Sequence, residues 1–132
     1  MEKIVFRQKD ESIDPTLFSM KAEEMAKEMS KDYSYSREKI NRRTQIRKFY
    51  DEILRLDTIA QSRPNSWTTV EPQLHLVIDK AAYAKGRDLV SDNFLNFIRE
   101  SVLQVKKPED LRIFATFFEA LMGFYKLYVP KN

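Results

Sequence analysis

The sequence predicts an all-α protein, a compact bundle of about five helices packed around a buried C-terminal helix. Two observations carry that expectation. The stretch from Pro108 to Tyr128, PEDLRIFATFFEALMGFYKLY, has no internal proline, and at about 100° per residue its apolar side chains cover roughly twice the arc of an ordinary amphipathic helix. Leu111, Phe114, Ala115, Phe118, Leu121, Met122 and Tyr125 fall on one side, with Ile113, Phe117, Ala120, Phe124 and Tyr128 on the adjoining side. Such a helix needs cover from several elements or from another subunit. Full burial of one large apolar side chain is worth about 1.5–3 kcal/mol, so this helix supplies much of the core's stabilisation. The second observation is compositional: only 2 glycines and a helix-forming vocabulary argue against a sheet.

Residues 1–14 are polar apart from Ile4, Val5, Phe6 and Ile13, and read as a flexible or loosely docked tail on a single helical domain, 1–132. A first helix is expected after Asp14, with Pro15 at its first position, running to about Lys31. Its stripe of Phe18, Ala22, Met25, Met29 and Tyr33 suits core packing or, because methionine adapts to irregular surfaces, a partner. A second helix is expected from about Thr44, as N-cap, or from as early as Ser36, to Gln61, with Ile46, Phe49, Tyr50, Ile53, Leu56 and Ala60 inward. Residues 62–72, SRPNSWTTVEP, read as the longest internal loop, broken by Pro64 and Pro72. The only tryptophan, Trp67, lies in it, and either folds back on the core or stacks on a base or partner.

A third helix is expected from Pro72 to Lys85, with Leu74, Val77, Ile78, Ala81 and Ala84 inward and Gly86 as its left-handed cap. Leu76, Lys80 and Tyr83 share the opposite side, a pattern that favours a protein or nucleic-acid contact over plain solvation. The fourth helix, Asp88 to Val105, turns Val90, Phe94, Phe97, Ile98, Val102 and Val105 inward and Ser91, Asn93, Asn96, Arg99 and Gln104 outward.

The net charge of +3 is modest, and its distribution says more than its size. Residues 37–55 hold seven basic side chains (Arg37, Lys39, Arg42, Arg43, Arg47, Lys48, Arg55) against three acidic ones (Glu38, Asp51, Glu52). On the second helix Arg47, Lys48 and Arg55 lie opposite the apolar face, with Arg43 at its rim. A basic ridge facing away from the core has the geometry to follow a phosphate backbone, which needs cations in register and no catalytic apparatus. The same spacing also describes a solvated helix with ion pairs. Lys85, Arg87, Lys106 and Lys107 lie near helix ends and are placed to extend the ridge.

Most enzyme classes are disfavoured. With no cysteine there is no disulfide, thiolate metal site or thiol nucleophile, and one histidine excludes multi-histidine metal sites, so no cofactor is expected. No P-loop, GxGxxG, HExxH, GxSxG or EF-hand pattern occurs. His75 stands four residues before Asp79, but a His/Asp pair without a nucleophile or Gly-rich pocket is weak evidence for acid–base chemistry. No run of about 18 apolar residues is present, and MEKIVFRQKDES lacks a signal-peptide core, so no membrane contact and a cytoplasmic location are expected.

The combination TQIRKFYDEI at 44–53, PQLHLVIDKAAYAKGRD at 72–88 and FATFFEALMGFYK at 114–126 resembles the small helical subunit of type III-A (Csm) CRISPR effector complexes. The resemblance covers residues 40–128. It implies a non-nuclease protein acting in antiviral defence, present in several copies that stack beside the backbone subunits along guide RNA and its paired target RNA. It implies sequence-independent phosphate contacts at Arg43, Arg47, Lys48 and Arg55, and at Tyr83 and Arg87 through a Y-x-x-x-R element. Lys80 and Lys85 join this RNA-binding set from the charge map. The backbone and large subunits of the complex, and a second copy of the chain as a homodimer, are the expected protein partners. Leu76, Tyr83, Phe117 and Phe124 are the candidate partner interface. The competing reading is a helical adaptor that binds only protein; a small DNA-binding regulator is disfavoured because the long 62–72 loop is not the short turn such a motif needs.

Overall fold

The computed structural model describes residues 3–131. Among them are five α-helices and no strand: a π-helical turn Leu17–Lys21 leads into α1 Ala22–Tyr35, followed by α2 Arg43–Ser62, α3 Trp67–Gly86, α4 Asp92–Val102 and α5 Pro108–Tyr128. The all-α expectation and the five-helix count hold. α5 packs against α1, α2 and the π-helical turn, and its buried residues, Leu111, Ile113, Phe114, Ala115, Phe117, Phe118, Leu121 and Tyr125 among them, come from both apolar sides. Rings of α4 and α5 interlock: Phe97 meets Phe118 edge-on at 5.0 Å between centroids, and Phe94, Phe114 and Phe117 complete the cluster. Edge-to-face geometry sets the positive rim of one ring against the negative face of the next, worth about 0.5–1.5 kcal/mol per pair beyond area burial.

From residue 3 onward the N-terminal segment is not a loose tail; residues 1–2 of the expected tail lie outside the described residues. Phe6 is buried against Phe114 and Phe117, with ring centroids 6.4 and 6.0 Å away. The backbone N–H groups of Ile4 and Phe6 donate to the side chains of Glu100 (2.7 Å) and Gln104 (2.8 Å), and Arg7 meets buried Asp110 at 2.7 Å. The segment therefore forms a strap across the α4–α5 face. The first helix also starts later than expected: Asp14 accepts from the N–H and hydroxyl of Thr16, both at 2.8 Å, and closes a turn before the π-helical one.

Other boundaries also differ for local reasons. α3 begins at Trp67, so the expected 62–72 loop shrinks to residues 63–66. Pro72 lies inside the helix, where its missing N–H forfeits a single bond in the second turn. α2 begins at Arg43 after an extended Arg42, and Thr44 is exposed instead of capping. Gly86 is the last residue of α3; the left-handed position is Asp88 (φ 59°). The N–H of Leu89 donates to Ala84 O and that of Asp88 to Lys85 O, the pair of bonds of a Schellman motif. That turn delays α4 to Asp92, with buried Ser91 as a true N-cap accepting from the N–H of Phe94.

Asn41 fixes the start of α2. It is fully buried in a left-handed conformation (φ 62°) that asparagine tolerates better than most residues. Its Nδ2 donates to Met29 O (3.3 Å) and Ser91 Oγ (2.8 Å), and its Oδ1 accepts from Ser91 N–H (2.9 Å). Its backbone N–H donates to Leu89 O (3.0 Å), and its carbonyl accepts from Tyr125 Oη at 2.6 Å. Burial above all, with Tyr33 and Asp32 nearby, pushes the Tyr125 hydroxyl up, so it stays a donor. One buried amide thus ties α1, α2, the α3–α4 turn and α5 together.

Candidate nucleic-acid interface

α2 and α3 form an antiparallel hairpin: Glu52 faces Lys80 at 3.8 Å, and farther along α2 Arg55 reaches back to Gln73 at 3.0 Å. A groove of about 410 Å³ runs between them, lined from α2 by Gln45, Lys48 and Glu52 and from α3 by Lys80, Tyr83 and Arg87. Three cations thus face one carboxylate. Lys80 and Arg87 are seven residues apart, within about 20° of each other on their helix, while Gln45, Lys48 and Glu52 repeat at i, i+3 and i+7 on α2. Arg87 lies 5.8 Å from the centre of the Tyr83 ring.

Glu52 is held below the usual carboxylate range, first by the hydrogen bonds from Arg55 and further by the charges of Arg55 and Lys80, against the effect of burial. Arg55 grips it with two bonds of 2.9 Å, so part of Arg55's donor capacity is occupied. On the other flank of α2 a second depression, about 480 Å³, is lined by Arg43, Arg47, Lys48, Asp51 and Met122. Arg47 pairs with Asp51 at 3.3 Å and lies 5.9 Å from the Tyr50 ring centre. Lys48 lines both hollows and is exposed, and among the described residues it has no carboxylate within ion-pair distance. The hairpin's outer surface is therefore a cationic crest with aromatic and amide groups in its flanks.

The model of the family described as Csm2 Type III-A matches residues 13–131. The chain belongs to the Csm2 Type III-A family. It is accordingly a small subunit of a type III-A CRISPR complex, a structural component that assembles with other Csm subunits. No curated protein and no solved structure matches it. The Csm2 match begins after the strap, whose residues 3–12 lie outside it.

Not every residue singled out in the sequence meets on this Csm2-family surface. Arg43 is half-buried and donates to Pro130 O at 2.6 Å, holding the C-terminal segment. Lys85 sits about 140° around α3 from Lys80 and reaches Asp92 at 4.0 Å beside the α3–α4 turn, away from the groove. Phe117 is fully buried under Phe6, so it offers no partner surface, and Phe124 is half-buried against the core. The greater part of the apolar arc of α5 is thereby covered within the chain, with Met122, Phe124 and Tyr128 half-buried at its edge. Leu76 and Tyr83 are 54% and 67% exposed, as their positions on α3 require. Gln45 and Glu52 were not among the sequence candidates; their heptad spacing with Lys48 is the signal that finds them. His75 and Asp79 are both exposed. No helix among the described residues is long and apolar enough to cross a membrane.

Proposed function

We propose that this subunit contacts RNA phosphates, without reading sequence, through the outer surface of the α2–α3 hairpin. The single observation that carries this reading is the meeting of Lys48, Lys80 and Arg87 in one groove against only Glu52, with Arg47 on the adjoining flank. Phosphate recognition needs cations spaced along a strand and mobile enough to follow it, and exposed lysines meet that need. The role is non-catalytic and cytoplasmic: copies of the subunit stack along guide RNA and target RNA beside the backbone and large subunits, each adding a few weak contacts. Effective affinity then grows as linked copies align.

A protein-only adaptor remains the second reading, favoured by Leu76 and Tyr83, whose exposure on α3 suits an apolar partner. Salt separates the two. Fluorescence anisotropy of a labelled single-stranded RNA of about 30 nucleotides, titrated over salt, should give a linear log–log decline. In an Arg47→Ala/Lys48→Ala double variant the slope should fall by roughly 0.7 for each phosphate no longer neutralised. Absence of binding at low salt would count against RNA contact by the isolated chain and favour the adaptor.

A further inference from the structure

Trp67 is half-buried and packed against the core, and it also lines a depression of about 440 Å³ where α2 turns into α3. Gln61, Arg63 and Asn65 stand around this hollow, and Pro108 from the start of α5 closes one side. The volume falls within the roughly 300–1,000 Å³ of small-ligand sites. Gln61 Nε2 donates to Asp57 Oδ1 (3.0 Å) and Pro108 O (2.8 Å), which fixes its amide and leaves Oε1 as an acceptor. The side chains of Arg63 and Asn65 are exposed, and among the described residues neither makes an ion pair or side-chain hydrogen bond. Buried Asp57, the carboxylate beside Gln61, is already opposed by Arg112 at 3.1 Å, so the hollow's free charge is that of Arg63. Lys48 and Arg63 are 15 positions apart, about 22 Å along the helix axis, a distance that several nucleotides of a single strand cover.

We propose that this hollow is a nucleobase site. A base of single-stranded RNA stacks on Trp67, the amides of Gln61 and Asn65 meet its edge, and Arg63 takes the adjoining phosphate. The inference rests on the phosphate-contact reading above and deepens it by adding base stacking, which tolerates any sequence because every base has a π-face. A purely apolar side chain entering the hollow would desolvate the free amide and guanidinium groups without satisfying them.

Because Trp67 is the only tryptophan, its emission reports on this hollow alone. The test titrates the full chain with an unlabelled uridine oligonucleotide of about 10 residues and, separately, with inorganic polyphosphate, which carries the charge without bases. Labelled-RNA anisotropy is run in parallel. Saturable quenching by RNA that tracks the anisotropy, with no quenching by bound polyphosphate, is the expected result. Trp67→Ala should weaken RNA binding at least about fivefold while leaving polyphosphate binding unchanged. Since Trp67 also packs the core, an exposed double variant, Arg63→Ala/Asn65→Gly, in which glycine keeps the left-handed backbone of Asn65 (φ 61°), gives the same test with the fold intact; it should weaken RNA binding and lower the salt slope by about 0.7. RNA binding that responds to Arg47→Ala/Lys48→Ala while Trp67 emission stays constant would overturn the nucleobase site and leave the phosphate reading standing. Binding by neither readout overturns both.

Discussion

α5 and the α2–α3 hairpin are made of helices of nearly equal length, 21 residues against 20 and 20, yet they do opposite work. Leu111, Ile113, Phe114, Phe117, Phe118, Leu121 and Tyr125 of α5 are enclosed, down to a tyrosine hydroxyl that bonds a buried carbonyl. On the hairpin one face of each helix joins the core, while the outer faces carry Lys48, Lys80 and Arg87 in the open. The contrast teaches that on the proposed reading stability and recognition reside in different helices, so substitutions can separate them.

The largest expected effect lies on α5. Phe118 touches the rings of Tyr50, Phe94, Phe97 and Phe114, so Phe118→Ala should cost about 3–5 kcal/mol, read as a fall in urea midpoint. Next comes Asn41→Ala, which strands buried partners on α1 and at the Ser91 turn and places alanine in a left-handed conformation. About 2–4 kcal/mol should be lost by the same measurement.

The strap gives a smaller, pH-dependent effect. Burial alone would raise the Asp110 carboxyl, but the hydrogen bonds from Arg7 and the Lys106 N–H, with the charges of Arg7 and Lys107, hold it below its ordinary 3.8. Its contribution is therefore present above about pH 3.8 and lost as the pH falls through the lower folded value. Arg7→Ala should cost about 1–2 kcal/mol at neutral pH and flatten that acid limb in pH-dependent urea melts. The smallest stability change belongs to Arg47→Ala/Lys48→Ala, within about 0.5 kcal/mol of the parent, although its RNA salt slope should drop by about 1.4 if both residues touch phosphates. A large loss of stability in that variant would break the division of labour between the helices.

How much of this was legible in the sequence follows from which forces are local. α5 was readable to its terminal residues because apolar periodicity, a first-position proline and acidic residues in the first turn all agree. The start of α3 was hidden because Pro64, Pro72 and a polar run look like loop. What carries the helix through Pro72 is the packing of Trp67, Val70 and Leu74 on the rest of the bundle. The strap was illegible for a related reason: residues 4–7 have no periodicity, and their partners Glu100, Gln104 and Asp110 are about a hundred positions away. The basic ridge was visible as charge, but its division into a groove with Lys80 and Arg87, a flank with Arg47, and an excluded Lys85 depends on how two helices are rotated against each other.

Among the described residues six non-glycine positions hold left-handed backbone, Arg37, Asn41 and Asp88 among them, while both glycines lie within helices. At Gly123 an added methyl group would meet nothing within 4 Å. The usual assignment of flexible and stiff residues is thus inverted, and heat tolerance is left unclaimed. Gly123→Ala should gain about 0.5–1 kcal/mol and Asp88→Gly about 1 kcal/mol, together raising the melting temperature by several degrees without touching the cationic groove. A natural sequence with such easy gains has been held to a threshold of stability, with room above it for surface residues to change as partner subunits demand.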